Sequence, residues 1–350
     1  MRDEFRGYSH LEAPMGNRDI VAMGASAGGV EALMQLAAGL SRDLPASVLV
    51  TLHLSNQFRS SLDELLTGAG PLPAKFAEDR EVLRKGHIYI APPDRHLLVE
   101  GDRVTLGIGP RENNSRPAID PMLRSAALCC CPRTIGVVLT GTLGDGASGL
   151  WAIGQCGGIT VVQDPRGAAY AEMPQNALER ANPDHVVDLQ RMPALLYSLA
   201  HEPEGESRAA PEGLRLEVEI ARGERENAMK ELDAIGRRSV LSCPDCQGVM
   251  WEIDEGGLTR FRCHVGHTYA ADLMNVALDE GLRRALASAL RALEERVALA
   301  RKLHSHAKER GHSHLMKNWA ARVREYEQEM QVVRDSIRRM EAIAARAELQ

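Results

Sequence analysis

The sequence lacks the features that would send a chain out of the cell, into a bilayer or onto nucleic acid. No stretch approaches the roughly 18 uninterrupted apolar residues of a membrane-spanning helix, and the opening segment MRDEFRGYSHLEAPMGNRD has no apolar centre of the secretory kind. Positive charge is not in excess: 42 Lys and Arg against 48 Asp and Glu leave a formal net charge of −6. That excludes the broad basic field nucleic-acid binding uses. The cysteines number seven, an odd count unevenly spaced, which suits reduced thiols and a metal site better than a disulfide framework. These absences predict a cytoplasmic protein with no nucleic-acid partner and no membrane insertion. What is present is ordinary globular material: 350 residues, 44% apolar, enough for two or more compact units.

Residues 1–17 read as a disordered polar leader. Apolar runs then alternate with helical patterns as far as residue 200, with the clearest strands at 20–23, 48–52, 87–91, 135–139 and 159–162. Continuous Val/Ile/Leu runs are the mark of a sheet covered on both faces, so residues 18–200 are expected to form an α/β domain, a doubly wound, mostly parallel sheet with helices on both sides. The Pro/Glu/Gly/Ser-rich stretch 201–213 reads as a linker. Beyond it, Leu214, Leu216, Val218 and Ile220 alternate with charged residues as a short half-exposed strand would. Residues 214–280 form a Cys-rich module, and residues 281–350 an α-helical hairpin or coiled coil.

Three strand ends carry chemistry. Gly24-Ala25-Ser26-Ala27-Gly28-Gly29 follows one strand and precedes a helix, the setting of a nucleophile elbow. A phosphate-binding turn is the rival, weakened because no Lys-Ser/Thr pair is present and Ser26 replaces a fingerprint glycine. His53 closes the second strand, and Asp145 lies in the glycine-rich loop after the strand IGVVL. A serine needs a base to take its proton, a histidine can serve, and a carboxylate fixes the imidazole tautomer. Each residue alone has a bland reading, as a cap or a satisfied core group; three at strand ends that a doubly wound sheet can bring together make a triad the better one.

The runs IVAMGASAGGVEAL, LHLSNQFRSSLDELL, GHIYIAPPDRHL, NSRPAIDPML, IGVVLTGTLGDGASGL and MPQNAL, spread in unbroken order over residues 18–200, resemble the catalytic domain of the bacterial chemotaxis protein-glutamate methylesterases. The resemblance implies hydrolysis of glutamyl methyl esters, and of some glutamine amides, on chemoreceptors, with Ser26 as nucleophile, His53 as base and Asp145 as orienting acid. It further implies backbone amides at Ala27 and Thr142 as oxyanion donors and Arg116 as a contact for acidic receptor groups. Ala27 stands where the family often has threonine and Thr142 where it has methionine. Only about 17 residues precede the first strand, so no regulatory receiver domain is expected in this stretch. A serine esterase of other specificity and an adaptor built on the C-terminal modules are the alternatives.

Cys243-Pro-Asp-Cys246 and Cys263-His-Val-Gly-His267 have the spacing of a tetrahedral zinc ribbon, with His264 as the alternative fourth ligand to His267 and a redox-active dithiol as the metal-free reading. Four protein ligands leave no open position, so the zinc would be structural and catalysis would need no cofactor. Farther on, Met316, Trp319, Val323, Tyr326, Met330, Val333, Ile337 and Met340 recur three and four apart, and Leu282, Leu286, Leu290, Leu293 and Val297 supply a second stripe. An antiparallel hairpin or a homodimer through the same seam follows. On this reading chemistry resides before residue 200, on a sheet that needs nothing downstream, and target choice after it.

Overall fold

The computed structural model describes residues 16–53, 60–223, 229–255 and 257–347, so nearly all of the expected leader lies outside the described residues. In chain order the first part comprises β1 (Ile20–Ala25), α1 (Gly29–Gly39), β2 (Ser47–Leu52), α2 (Leu62–Ala69), β3 (Ala74–Phe76), β4 (Ile88–Ile90), β5 (His96–Glu100), β6 (Arg103–Gly107), α3 (Ile119–Cys130), β7 (Thr134–Val138), α4 (Ala147–Gln155), β8 (Ile159–Gln163), α5 (Glu172–Ala181), β9 (His185–Val187) and α6 (Met192–His201). Seven strands form one sheet in the order β3-β4-β2-β1-β7-β8-β9, and every pairing in it is parallel. The expected doubly wound fold is therefore present. Its order reverses around β1, and in open α/β sheets such a reversal opens a crevice at the carboxyl ends of the strands.

The sheet is dry on both faces, as its uninterrupted apolar strands require. Val21, Met23, Leu33, Leu36, Leu66 and Leu196 belong to the core under α1, α2 and α6. Ala22, Leu49, Ile119, Leu123, Leu150 and Ile153 belong to the opposite core under α3 and α4. The antiparallel hairpin β5–β6 packs along α3, where Val99 donates its N–H to Ser125 Oγ at 3.0 Å.

After α6 the structure departs from the expectation of a loose linker. Glu204 N donates to Gly16 O at 2.7 Å and Arg208 N to Cys156 O at 3.2 Å, so the segment is tied along the domain. The expected strand beginning at Leu214 is a helix, α7 (Leu214–Arg222), bounded by Gly213 and Gly223 at positive φ. Alternating apolar residues misled because this helix is covered nearly all round: Leu214, Leu216, Val218, Ile220 and Ala221 are all buried. Leu214 belongs to the core of the α/β sheet itself. Past α8 (Met229–Ile235) come β10 (Arg237–Ser242), β11 (Val249–Glu255), β12 (Leu258–Cys263) and β13 (Thr268–Ala270), an antiparallel four-stranded sheet.

This small sheet is joined to the α/β domain by buried charge. Arg124 on α3 pairs with Glu112 and with Glu217 on α7; Arg260 on β12 pairs with Glu217 and with Glu255; Arg262 reaches Glu112 at 2.9 Å. Three guanidiniums face three carboxylates, and five of the six side chains are less than 5% exposed. Residues up to Met274 accordingly form one compact unit. The α/β domain thus has a charge partner downstream: ending the chain near residue 200 would leave Arg124 with Glu112 alone of its two carboxylates.

The second unit, Asn275–Gln350, is built from α9 (Ala271–Glu309) and α10 (Ser313–Ala347). Arg301 pairs with Glu327 and Arg334 with Glu294, a register that runs antiparallel, so the two helices form the expected hairpin around Gly311. Val297 and Ala300 are buried in it, and the α10 seam from Met316 to Met340 is half-buried, whereas Leu282 is exposed and lies off the stripe. No helix among the described residues is long and apolar enough to cross a membrane.

Breaking one partner of a buried ion pair leaves an uncompensated charge, at a cost of about 3–5 kcal/mol. Glu217→Gln is expected to lower unfolding stability by about that much, measured by urea denaturation. Because the cluster spans both sheets, the loss should appear in one transition shared by probes of each.

Candidate active site

Ser26 follows β1 directly, at the mouth of the crevice. Its N–H donates to Thr140 O at 3.0 Å, and the N–H of Gly29 returns to Ser26 O at 2.9 Å, closing a tight turn into α1. Gly28 sits at φ 70°, the left-handed region where a side chain is strained, and an added Cβ there would lie 2.9 Å from Ala169 Cβ. The far wall is equally close: a Cβ on Gly141 would meet Ser26 Cβ at 2.9 Å and Met173 Cε at 2.7 Å. Thr140 braces the turn from the neighbouring strand, its hydroxyl donating to Ala27 O at 3.1 Å and accepting from Tyr170 N at 2.9 Å.

The structure brings Ser26, His53 and Asp145 together from the ends of β1, β2 and β7. Ser26 Oγ lies 3.0 Å from His53 Nδ1, and His53 Nε2 lies 2.7 Å from Asp145 Oδ2. A carboxylate only accepts, so Nε2 carries the proton and donates it, leaving the Nδ1 lone pair toward the serine hydroxyl. In the serine-protease arrangement the two nitrogens have the opposite partners. Either nitrogen can act as the base; what matters is that the carboxylate holds the other.

Asp145 is 2% exposed. Besides His53 its oxygens accept from Ile119 N at 2.7 Å, Asp120 N at 3.2 Å and Asn113 Nδ2 at 3.0 Å. The two backbone donors are the first residues of α3, so the carboxylate also sits at the positive end of that helix. Burial alone would raise its pKa; the hydrogen bond and charge of His53, with the Ile119 and Asn113 donors, outweigh burial and hold it well below the usual carboxylate range. Asp120 next door goes the other way, pushed up by burial and by the negative charge of Asp145.

The other residues singled out from sequence fall differently. Ala27 and Thr142 are half-buried, in the turn after β1 and in the Asp145 loop. Arg116 is turned inward: Nε and Nη2 donate to Asp94 Oδ1 at 2.9 and 2.7 Å, and Nη1 to the carbonyls of Ile108 and Gly109. Those bonds make it a brace for its own loop. Thr140 and Asn113 carry no site signal in sequence, although Thr140 stands in one of the runs that carry the family resemblance and Asn113 directly precedes another.

On the small sheet, Cys243, Cys246, Cys263 and His267 present one ligand atom each, all within 4.8 Å of one another. Cys246 Sγ lies 3.6 Å from Cys263 Sγ, and His267 Nδ1 lies 3.4 Å from Cys263 Sγ and 3.7 Å from Cys243 Sγ. A tetrahedral zinc with bonds of about 2.3 Å to sulfur and about 2.0 Å to nitrogen spaces its ligands roughly 3.5–3.8 Å apart, so the donor set fits that ion. His264 packs instead over Gly248 and is not a member of the cluster.

Asp145→Asn is expected to lower turnover by about 10⁴, as the equivalent exchange does in a serine protease, because the amide favours the wrong imidazole tautomer. The depressed carboxyl also fixes the sign of a pH effect. Its contribution to stability is complete above the ordinary pKa of about 3.9 and is lost as pH falls through its own lower value. The stability gap between wild type and Asp145→Asn, read by denaturant titration, should therefore be widest near neutral pH and narrow as pH drops below about 4.

Comparison with known proteins places this geometry in a family. The chain is 35% identical over 184 residues to a Leptospira interrogans relative, aligning 52% of this chain with 95% of that one. It is 36% identical over 180 residues to the protein-glutamate methylesterase/protein-glutamine glutaminase of Pyrococcus horikoshii, covering 50% of this chain and 49% of that one. The crystal structure of the Thermotoga maritima CheB methylesterase catalytic domain is similar at a TM-score of 0.50 and 33% identity, over 52% of this chain and 98% of that domain. The family model for CheB methylesterase matches residues 21–196, the stretch that holds Ser26, His53 and Asp145, and the chain belongs to the CheB methylesterase family.

Proposed function

We propose that this protein hydrolyses glutamyl methyl esters on chemoreceptors, releasing methanol, and that the same acyl chemistry extends to receptor glutamine amides with release of ammonia. The observation that carries the reading is the hydrogen-bonded line Ser26–His53–Asp145 at three adjacent strand ends within a CheB methylesterase domain.

Ser26 Oγ attacks the ester carbonyl while His53 Nδ1 takes its proton, and Asp145 steadies the imidazolium. The tetrahedral intermediate places negative charge on the former carbonyl oxygen; the backbone amides of Ala27 and Thr142 are the donors assigned to it. Collapse of the intermediate expels methoxide, which takes the His53 proton and leaves as methanol. Water, activated by the same histidine, then hydrolyses the glutamyl-serine ester and restores Ser26.

Cys243, Cys246, Cys263 and His267 are assigned to one structural zinc, whose ligand separations support it. The zinc would hold the ends of β10 and β12 together and take no part in the hydrolysis. The helical hairpin α9–α10 is assigned to partner docking, with a second copy of this chain as one occupant of its seam.

Purified protein incubated with methylated receptor cytoplasmic fragments should release methanol, and Ser26→Ala should abolish the release while leaving the circular dichroism spectrum unchanged. Methanol release that persists in Ser26→Ala would overturn the assignment. Elemental analysis should find one zinc per chain, absent from a Cys243→Ser, Cys246→Ser double variant; full occupancy there would show that other residues bind it.

A further inference from the structure

Asn113 lies between β6 and α3, 7% exposed, with φ of 49°. Its side chain is engaged on two sides. Nδ2 donates to Asp145 Oδ1 at 3.0 Å and, more weakly, to Asp120 Oδ2 at 3.3 Å. Oδ1 accepts from the N–H of Ala270 at 3.1 Å, and the main-chain N–H of Asn113 donates to Thr268 O at 2.8 Å. Thr268 and Ala270 are the two ends of β13, the strand that directly follows His267.

A primary amide has one accepting end and one donating end. Reversed, Asn113 would aim its carbonyl oxygen at the buried carboxylate of Asp145 and face the Ala270 N–H with a second donor. The backbone of β13 thus fixes which way round the amide stands and keeps its donor on the triad acid. The preceding residue is anchored from the same side, Glu112 binding Arg262 of β12 at 2.9 Å. The loop is thus tied at two consecutive residues to a sheet far away in sequence; Arg124 of α3 also holds Glu112, but among the described residues the Asn113 side-chain carbonyl oxygen and main-chain N–H are held by β13.

We propose that Asn113 is a positioning residue for Asp145 and that β13 holds it in place, so that hydrolysis at Ser26 depends on the folded C-terminal sheet. This rests on the serine-hydrolase reading above. Asp145 keeps three other donors when Asn113 is removed, so the effect is partial and lies in turnover. Removing a donor leaves the carboxylate more basic, and its imidazolium partner then gives up its proton less readily.

The test uses the full-length protein, hydrolysis of p-nitrophenyl acetate across a pH series, and stoichiometric labelling by a fluorophosphonate. Asn113→Ala should lower kcat on the order of 10- to 100-fold, the scale of a small misplacement of a catalytic group, with KM unchanged and the acidic limb of the kcat/KM profile moved to higher pH. Ala270→Pro, which deletes one N–H, should reproduce the loss, and the double variant should lose no more than the larger single loss. Asn113→Asp keeps the acceptor for Ala270 but turns a second oxygen toward Asp145; its loss should be at least that of Asn113→Ala, and it serves where Ala270→Pro does not fold. Turnover in Asn113→Ala within twofold of wild type, an unmoved pH profile, losses that multiply in the double variant, or an Asn113→Asp enzyme as active as wild type would each overturn the proposal. Wild-type protein that neither hydrolyses the ester nor takes the label would overturn the serine-hydrolase reading itself, which separates the two failures.

Discussion

A carboxylate shut away from water remains ionised only where fixed donors replace its hydration shell. Asp145 meets that condition with donors from four places: the imidazole of His53, two amides of the first turn of α3, and the side chain of Asn113. Much of the architecture around the crevice answers to this requirement. The start of α3 must point at the end of β7, which sets the helix against the sheet and Ile119 in its core. The loop entering α3 must fold back so that Asn113 arrives beside Ile119, and it does so through residues at positive φ, Asn113 and Asn114, a conformation asparagine tolerates better than most side chains. The charge of Asp145 in turn raises the pKa of Asp120, so two adjacent acids are driven apart in protonation by one buried environment.

The second buried-charge system does a different task. The Arg124, Arg260 and Arg262 guanidiniums with Glu112, Glu217 and Glu255 form a neutral set in which desolvation works against every member and mutual attraction offsets it. Burial would raise the Glu217 pKa, yet the three neighbouring arginines hold it well below the usual range. Such sets are weak evidence for stability, because apolar residues of similar volume serve as well or better. They do discriminate strongly against misplacement: a helix or strand docked a few ångströms away leaves charges unpaired. In this molecule the set fixes how α7 and the small sheet seat against α3.

The sequence displayed the centre of the fold and hid its edges. Five strands are legible because parallel strands buried on both faces become continuous apolar runs, even the three-residue β4, whereas β3 and β9 are only half-buried, with no run to see. The apolar alternation from Leu214 to Ile220 looks the same whether a strand has one covered face or a helix is enclosed on most sides; the flanking Gly213 and Gly223 were the available sign of the helix. Ser26, His53 and Asp145 were legible because each closes an apolar run. Asn113 was not, since nothing local distinguishes it in NNSRP and its partner Ala270 lies 157 residues away. The pairing of Arg116 was hidden for a related reason: a lone arginine in a loop looks free until Asp94 is seen beside it.

The neutral set of buried charges also bears on inheritance. A catalytic domain exchanged with that of a relative ending near residue 196 would bring its own side chains to positions 112 and 124, while Glu217, Arg260 and Arg262 stayed behind. Any mismatch would leave a full charge in a dry interior. Single substitutions at these positions are therefore each deleterious although the collective replacement of all of them need not be, which is sign epistasis written into one cluster. Lineages carrying the C-terminal sheet should consequently exchange the two parts as a block rather than drift at one position at a time, and domain shuffling that ignores positions 112 and 124 should yield chimaeras that fail to assemble.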